Sequence, residues 1–156
     1  MRLLRVLLAV VVTASLTLVG SMPANAEPLF VNYAANVQNI GWQPYVAEGA
    51  TAGTTGQSLR MELFTVRGVM STTQAHVQNI GWQAPLAAGS RVGVPGLRLE
   101  AVRVKSVVTG WGIECRAHVQ NIGWRAWVPD GATCGTTGQS LRLEAVQLRL
   151  VRLVRR

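Results

Sequence analysis

The segment His-Val-Gln-Asn-Ile-Gly-Trp at 76–82 returns unchanged at 118–124, and once more with a single difference as Asn-Val-Gln-Asn-Ile-Gly-Trp at 36–42. The spacings from Asn39 to Asn79 and from Asn79 to Asn121 are 40 and 42 residues. A unit of this length present three times constrains the chain to an assembly of three like pieces, each burying its apolar face against the others. The identity extends past the motif. Gly49, Gly89 and Gly131 stand seven residues after the Trp, and Gly53, Gly93 and Gly135 four further on. A Gly-x-x-Gly segment follows, and each copy ends in Leu-Arg-hydrophobic-Glu at 59–62, 97–100 and 141–144. The middle copy lacks the Gln-Ser that precedes this run in the other two (Gln57-Ser58 and Gln139-Ser140), and is the degenerate one.

Within the unit the signals are those of strands. Tyr33, Ala35 and Val37 alternate with polar residues, as do Thr73, Ala75 and Val77, which is the period of a half-buried strand. Asn-Ile-Gly reads as a turn or bulge. A short strand is expected through Trp-x-x-aromatic, as in Trp42 and Tyr45 or Trp124 and Trp127. The last strand is the longest, with Leu141, Leu143, Val146, Leu148 and Leu150. Its apolar phase slips by one between Leu143 and Val146, which predicts a bulge near Glu144-Ala145. Three or four short strands per unit, three times over, predict an all-β, pseudo-threefold symmetric domain. A β-prism-like arrangement fits, and a β-trefoil of similar unit length is the alternative.

The stretch AHVQNIGWRAWVPDGATCGTTGQSLRLEAVQLRL at 117–150, with its QNIGW and GTTGQSLRLEA elements, resembles the ChW repeat, a clostridial hydrophobic repeat with a fixed Trp. The resemblance spans about 31–151. It implies an extracellular bacterial protein associated with the cell surface, with adhesion or with macromolecule binding.

Residues 1–26 read as a secretory signal peptide: Arg2 and Arg5, an apolar stretch from Leu7 to Val19, and the small-x-small site Ala24-Asn25-Ala26. The exported chain, 27–156, is expected to be one domain of three repeats, at about 31–68, 69–107 and 108–151, with a short basic tail. Without Arg2 and Arg5 it keeps 13 basic residues against 7 acidic ones. That excess does not point to nucleic acid, because Arg60, Arg98 and Arg142 stand two residues before Glu62, Glu100 and Glu144 and are expected to pair with them. The remainder gathers in Arg149, Arg152, Arg155 and Arg156, where weak contact with an anionic wall polymer or a membrane surface is expected. Cys115 and Cys134 arise together in one copy, at positions held by Tyr33 and Thr73, and by Ala52 and Val92, in the others. In an exported chain that pattern predicts a disulfide.

No nucleophile, acid or base stands in a catalytic context, and no residue set predicts a metal or cofactor. His76 and His118 are equivalent positions of the repeat rather than a pair. The candidate ligand-binding residues are Gln38, Asn39 and Trp42, Gln78, Asn79 and Trp82, and Gln120, Asn121 and Trp124, with Trp127 beside the last. Amides donate to and accept from sugar hydroxyls, and an indole face packs on a pyranose ring. The competing role for the three repeated Trp is structural: mostly buried, they would hold each unit to the common core. Trp111, in Thr-Gly-Trp-Gly, reads as lying in an exposed loop, either a ligand contact or a plug. The expected function is a secreted, non-catalytic module for cell-wall or extracellular polysaccharide, with a cell-surface protein-interaction or adhesion module as the alternative.

Overall fold

A computed structural model describes residues 28–154; the signal-peptide reading and the tail residues Arg155 and Arg156 fall outside them. The first repeat carries β1 (Val31–Val37), β2 (Gly41–Trp42), β3 (Val46–Ala47), β4 (Ala52–Gly53) and β5 (Met61–Gly68). The second carries β6 (Ser71–Val77), β7 (Gly81–Trp82), β8 (Leu86–Ala87), β9 (Arg91–Gly93) and β10 (Leu99–Ser106). The third carries β11 (Trp111–Val119), β12 (Gly123–Trp124), β13 (Cys134–Gly135) and β14 (Leu143–Arg152). The last strand begins two residues later than its run of Leu suggests. The short strand expected through Trp-x-x-aromatic stops at the Trp in every copy.

The described residues are all-β, in three antiparallel sheets. Each sheet is built on a long pair from one repeat: β1 with β5, β6 with β10, β11 with β14. Their inward residues meet in a single core, with Tyr33, Phe64, Met61, Leu99, Ile113, Leu143 and Leu148 its largest wholly buried side chains. Strand alternation explains the selection: Val31, Tyr33, Ala35 and Val37 share one face of β1, and Ile113, Cys115, Ala117 and Val119 one face of β11. Tyr33 ends at a polar place, its hydroxyl donating to the carbonyl oxygen of Ala50, and burial pushes its phenol above the ordinary range.

The predicted bulge is present in every copy. Val119 lies opposite Leu143 and His118 opposite Ala145, so Glu144 is the extra residue. Glu62 and Glu100 occupy the same place opposite Asn36-Val37 and His76-Val77.

The short strand in the middle of each repeat leaves its own sheet. β9 of the second repeat pairs with β5 of the first, β13 of the third with β10 of the second, and β4 of the first with β14 of the third. Each repeat thus completes the sheet before it, and the first completes the last. The expected disulfide is formed, Cys115 to Cys134, with the Cα atoms 6.0 Å apart. Because β11 lies in the third sheet and β13 in the second, it ties two sheets together.

Candidate functional site

The Gln-Asn-Ile-Gly-Trp segment of each repeat is a tight hairpin. Asn39, Asn79 and Asn121 take φ of 63, 64 and 62°, the left-handed region that Asn tolerates best among residues with a side chain. The following Gly41, Gly81 and Gly123 also have positive φ, and Ile40, Ile80 and Ile122 close the turn onto the carbonyls of Val37, Val77 and Val119. This turn sends Trp42, Trp82 and Trp124 back across Asn36, His76 and His118, their antiparallel partners.

That register decides where the indoles go. Side chains of opposed residues share a face, and Asn36, His76 and His118 alternate with the core residues, so they face outward. The three Trp therefore lie on the outer faces of the sheets and not in the core. Trp42 and Trp82 are half-buried and Trp124 is 36 % exposed. The structural role expected for them in the core belongs instead to aliphatic residues with Tyr33 and Phe64.

A polar cluster braces each ring. The imidazole of His76 meets Trp82 edge-on at 5.2 Å, and His118 meets Trp124 at 5.4 Å. Behind each imidazole stands the bulged carboxylate: Nδ1 of His76 lies 3.0 Å from Oε2 of Glu100, and Nδ1 of His118 lies 2.9 Å from Oε2 of Glu144. Both are close polar contacts without the alignment of a hydrogen bond. Arg98 and Arg142 bind the other carboxylate oxygens at 2.8 and 2.7 Å, and Arg60 pairs with Glu62 at 2.8 Å, so the repeat's Arg-x-Glu pairs are satisfied internally. In the first repeat Asn36 replaces the imidazole, and Glu62 instead accepts from the backbone N–H of Gly96 in the second repeat.

An arginine lies against each indole: Arg91 at 5.0 Å from the ring centre of Trp42, Arg103 at 4.0 Å from that of Trp82, and Arg116 at 5.0 Å from that of Trp124. These are cation–π distances. The three arginines are not equivalent in the repeat, because they come from β9, β10 and β11. They share one cross-strand row beside the Trp but stand at different places in it. Each occupies one place in a row of cross-strand neighbours that runs Ala34, Thr65, Arg91 in the first sheet. The row runs Gln74, Arg103, Thr133 in the second, where Arg103 donates to Thr133, and Arg116, Gln147, Thr51 in the third, where Arg116 donates to Gln147 and Gln147 to Thr51.

The structure brings Gln, Asn and Trp of each repeat into one hairpin and sets the three hairpins on three different sheets. Asn39, Asn79 and Asn121 are exposed. Gln38, Gln78 and Gln120 are half-buried, and Gln120 spends its side-chain oxygen on the backbone N–H of Arg142 at 3.2 Å. Trp127 lies on the same sheet as Trp124, between Arg116 at 5.1 Å and Arg149 at 4.3 Å. Tyr45 in the first repeat is likewise under Arg67, at 3.6 Å. Trp111 is not in a loop: it opens β11, half-buried, opposite Arg152, whose guanidinium is 4.2 Å from the ring centre.

Two features escaped sequence reasoning. Ile40, Ile80 and Ile122 are 50, 55 and 50 % exposed at the turn tips, although apolar and identical in all three copies. That identity was the available signal. The arginines over the Trp carried no signal, since no common repeat position holds them.

The family described as Clostridial hydrophobic W (ChW) matches at 36–67, 76–107 and 118–152, together more than half of the chain. The protein belongs to this family and carries three of its repeats. No curated protein and no solved structure matches it.

Proposed function

We propose that this protein is a secreted, non-catalytic binding module that recognises cell-wall or extracellular polysaccharide through its three outward-facing hairpins. The observation that carries the reading is the outward placement of Trp42, Trp82 and Trp124, each beside an exposed Asn whose amide has no protein partner among the described residues. An indole offers an apolar plane to the C–H face of a sugar, and a neighbouring amide pairs with its hydroxyls. Three such places on one rigid core favour a polymer over a free sugar, because a chain that engages a second site does so at high effective concentration. Export and a bacterial surface setting are part of the proposal, supported by the leader-like residues 1–26 and by the family. The basic C-terminal end adds a salt-sensitive attraction to anionic wall polymer or membrane surface.

A second reading, contact with a surface protein, is favoured by Ile40, Ile80 and Ile122, since exposed apolar tips suit a protein partner better than a sugar. Pull-down on insoluble wall polysaccharide, run beside a surface-protein pull-down, separates the two. Trp124→Ala is expected to lose polysaccharide binding while still melting cooperatively. Trp82→Ala is expected to harm binding least, since its repeat has Pro85 in place of Tyr45 and Trp127. Unchanged polysaccharide binding in the triple Trp variant, with protein capture lost in Ile→Ser variants, would put the second reading first.

A further inference from the structure

We propose that the ligand of these hairpins is anionic, a polysaccharide bearing carboxylate or phosphate groups, and that Arg91, Arg103 and Arg116 are the residues that bind its charge. The proposal rests on the polysaccharide reading above and names the chemical class it takes.

A packing need of the repeat would be met by one inherited position, as the Arg-x-Glu pair is in all three copies. The arginine at the Trp is supplied by β9, then β10, then β11, so a guanidinium reaches each ring from three different strands of the sheet and three unrelated places in the sequence. What the three share is the result: one guanidinium beside the indole on the outer face of each sheet.

The charges are also free. Among the described residues none of the three pairs with a carboxylate, in contrast to Arg60, Arg98 and Arg142 on the same faces. Among the described residues Arg103 and Arg116 each use only Nε, toward Thr133 and Gln147, and their terminal nitrogens have no acceptor there. A guanidinium stacked on an indole engages its flat face and leaves the N–H edge, which is the part that matches a carboxylate or phosphate in two parallel hydrogen bonds. Indole and guanidinium together then present an apolar rim beside a planar pair of donors. That is the complement of a sugar ring carrying an acidic substituent, and a neutral sugar would leave the donors unused.

The test is affinity electrophoresis of the exported chain in gels containing polygalacturonate (carboxylate), a glycerol-phosphate wall polymer (phosphate) or a neutral glucan. Retardation by one or both anionic polymers and none by the glucan is expected, and which arm responds identifies the acid group. Arg91→Gln/Arg103→Gln/Arg116→Gln should weaken it at least about tenfold, the scale of losing charge-assisted hydrogen bonds. Removing the same number of charges at the end of the chain, in Arg152→Gln/Arg155→Gln/Arg156→Gln, should change it by no more than about twofold. Equal losses in the two triple variants would mean that bulk charge is responsible and would overturn the proposal. Retardation by the glucan that is unaffected by Arg91→Gln/Arg103→Gln/Arg116→Gln would overturn it while leaving the polysaccharide reading intact. No retardation by any polymer would remove both. Circular dichroism of each variant confirms the fold.

Discussion

Gly53 of the first repeat lies directly against the backbone of Glu144 in the third. A Cβ built on Gly53 would overlap the Glu144 carbonyl oxygen and stand 2.8 Å from the Ala145 Cα, and the next residue, Thr54, donates its N–H to that same oxygen at 3.0 Å. The contact joins the two ends of the repeat array. The other junctions repeat it, Gly93 against Glu62 and Gly135 against Glu100, so the bulge of each long strand is the docking place for the short strand of the neighbouring repeat.

Gly53→Ala should therefore destabilise by more than about 2 kcal/mol, because the added methyl meets fixed backbone in addition to an unfavourable φ of 102°. Gly49→Ala is the contrast. Its φ is 78°, but a Cβ there meets nothing within 4 Å, so a cost of about 1 kcal/mol is expected. Urea titrations of both variants give the two values, and similar costs would mean that the close approach at Gly53 relaxes freely.

The Cys115–Cys134 bond should be detectable as a loss of two hydrogens in the mass of the non-reduced protein. Cys115→Ala/Cys134→Ala should lower stability by about 3 kcal/mol, the chain-entropy value for a loop of this order, since the two residues are 19 apart. The variant should stay folded, because both side chains sit in a core that spans all three sheets.

Tyr33 should make the fold sensitive to alkali. Burial raises its phenol above the usual value, so the folded state favours the neutral form. Its contribution is whole below the unfolded phenol pKa of about 10 and is lost as pH rises through the folded value. Tyr33→Phe should cost roughly 1 kcal/mol at neutral pH, by removing the hydrogen bond to Ala50. It should also flatten the stability profile above about pH 10. An unchanged profile would assign the alkaline loss to other groups.

Trp124→Ala should cost about 1–2 kcal/mol, less than the roughly 3–5 kcal/mol of emptying a buried aromatic site. The ring is 36 % exposed and rests on an outer sheet face with His118 at its edge. Thermal melts measure the difference directly, and a loss in the larger range would restore a structural role for this residue.

Much of this architecture is written locally. The period of the three copies, the left-handed turn at Asn39, Asn79 and Asn121, the bulge at Glu144, the Arg-x-Glu pairs and the joined cysteines are all set by residues close in sequence or by comparison of one copy with the next. Backbone preference and strand alternation act over a few residues, so such features survive being read from a string. The tertiary structure alone decided three others. The exchange of β4, β9 and β13 between repeats depends on which edge is free in the neighbouring sheet. The outward placement of the Trp follows from which face of β1, β6 and β11 turns to the shared core: the turn pairs Trp42 with Asn36, Trp82 with His76 and Trp124 with His118, but only the closing of the three sheets puts that face outside. The meeting of Arg91, Arg103 and Arg116 with those rings depends on cross-strand neighbours drawn from three different strands. Lateral contact across a sheet has no fixed separation along the chain, and for that reason only the folded arrangement brings them together.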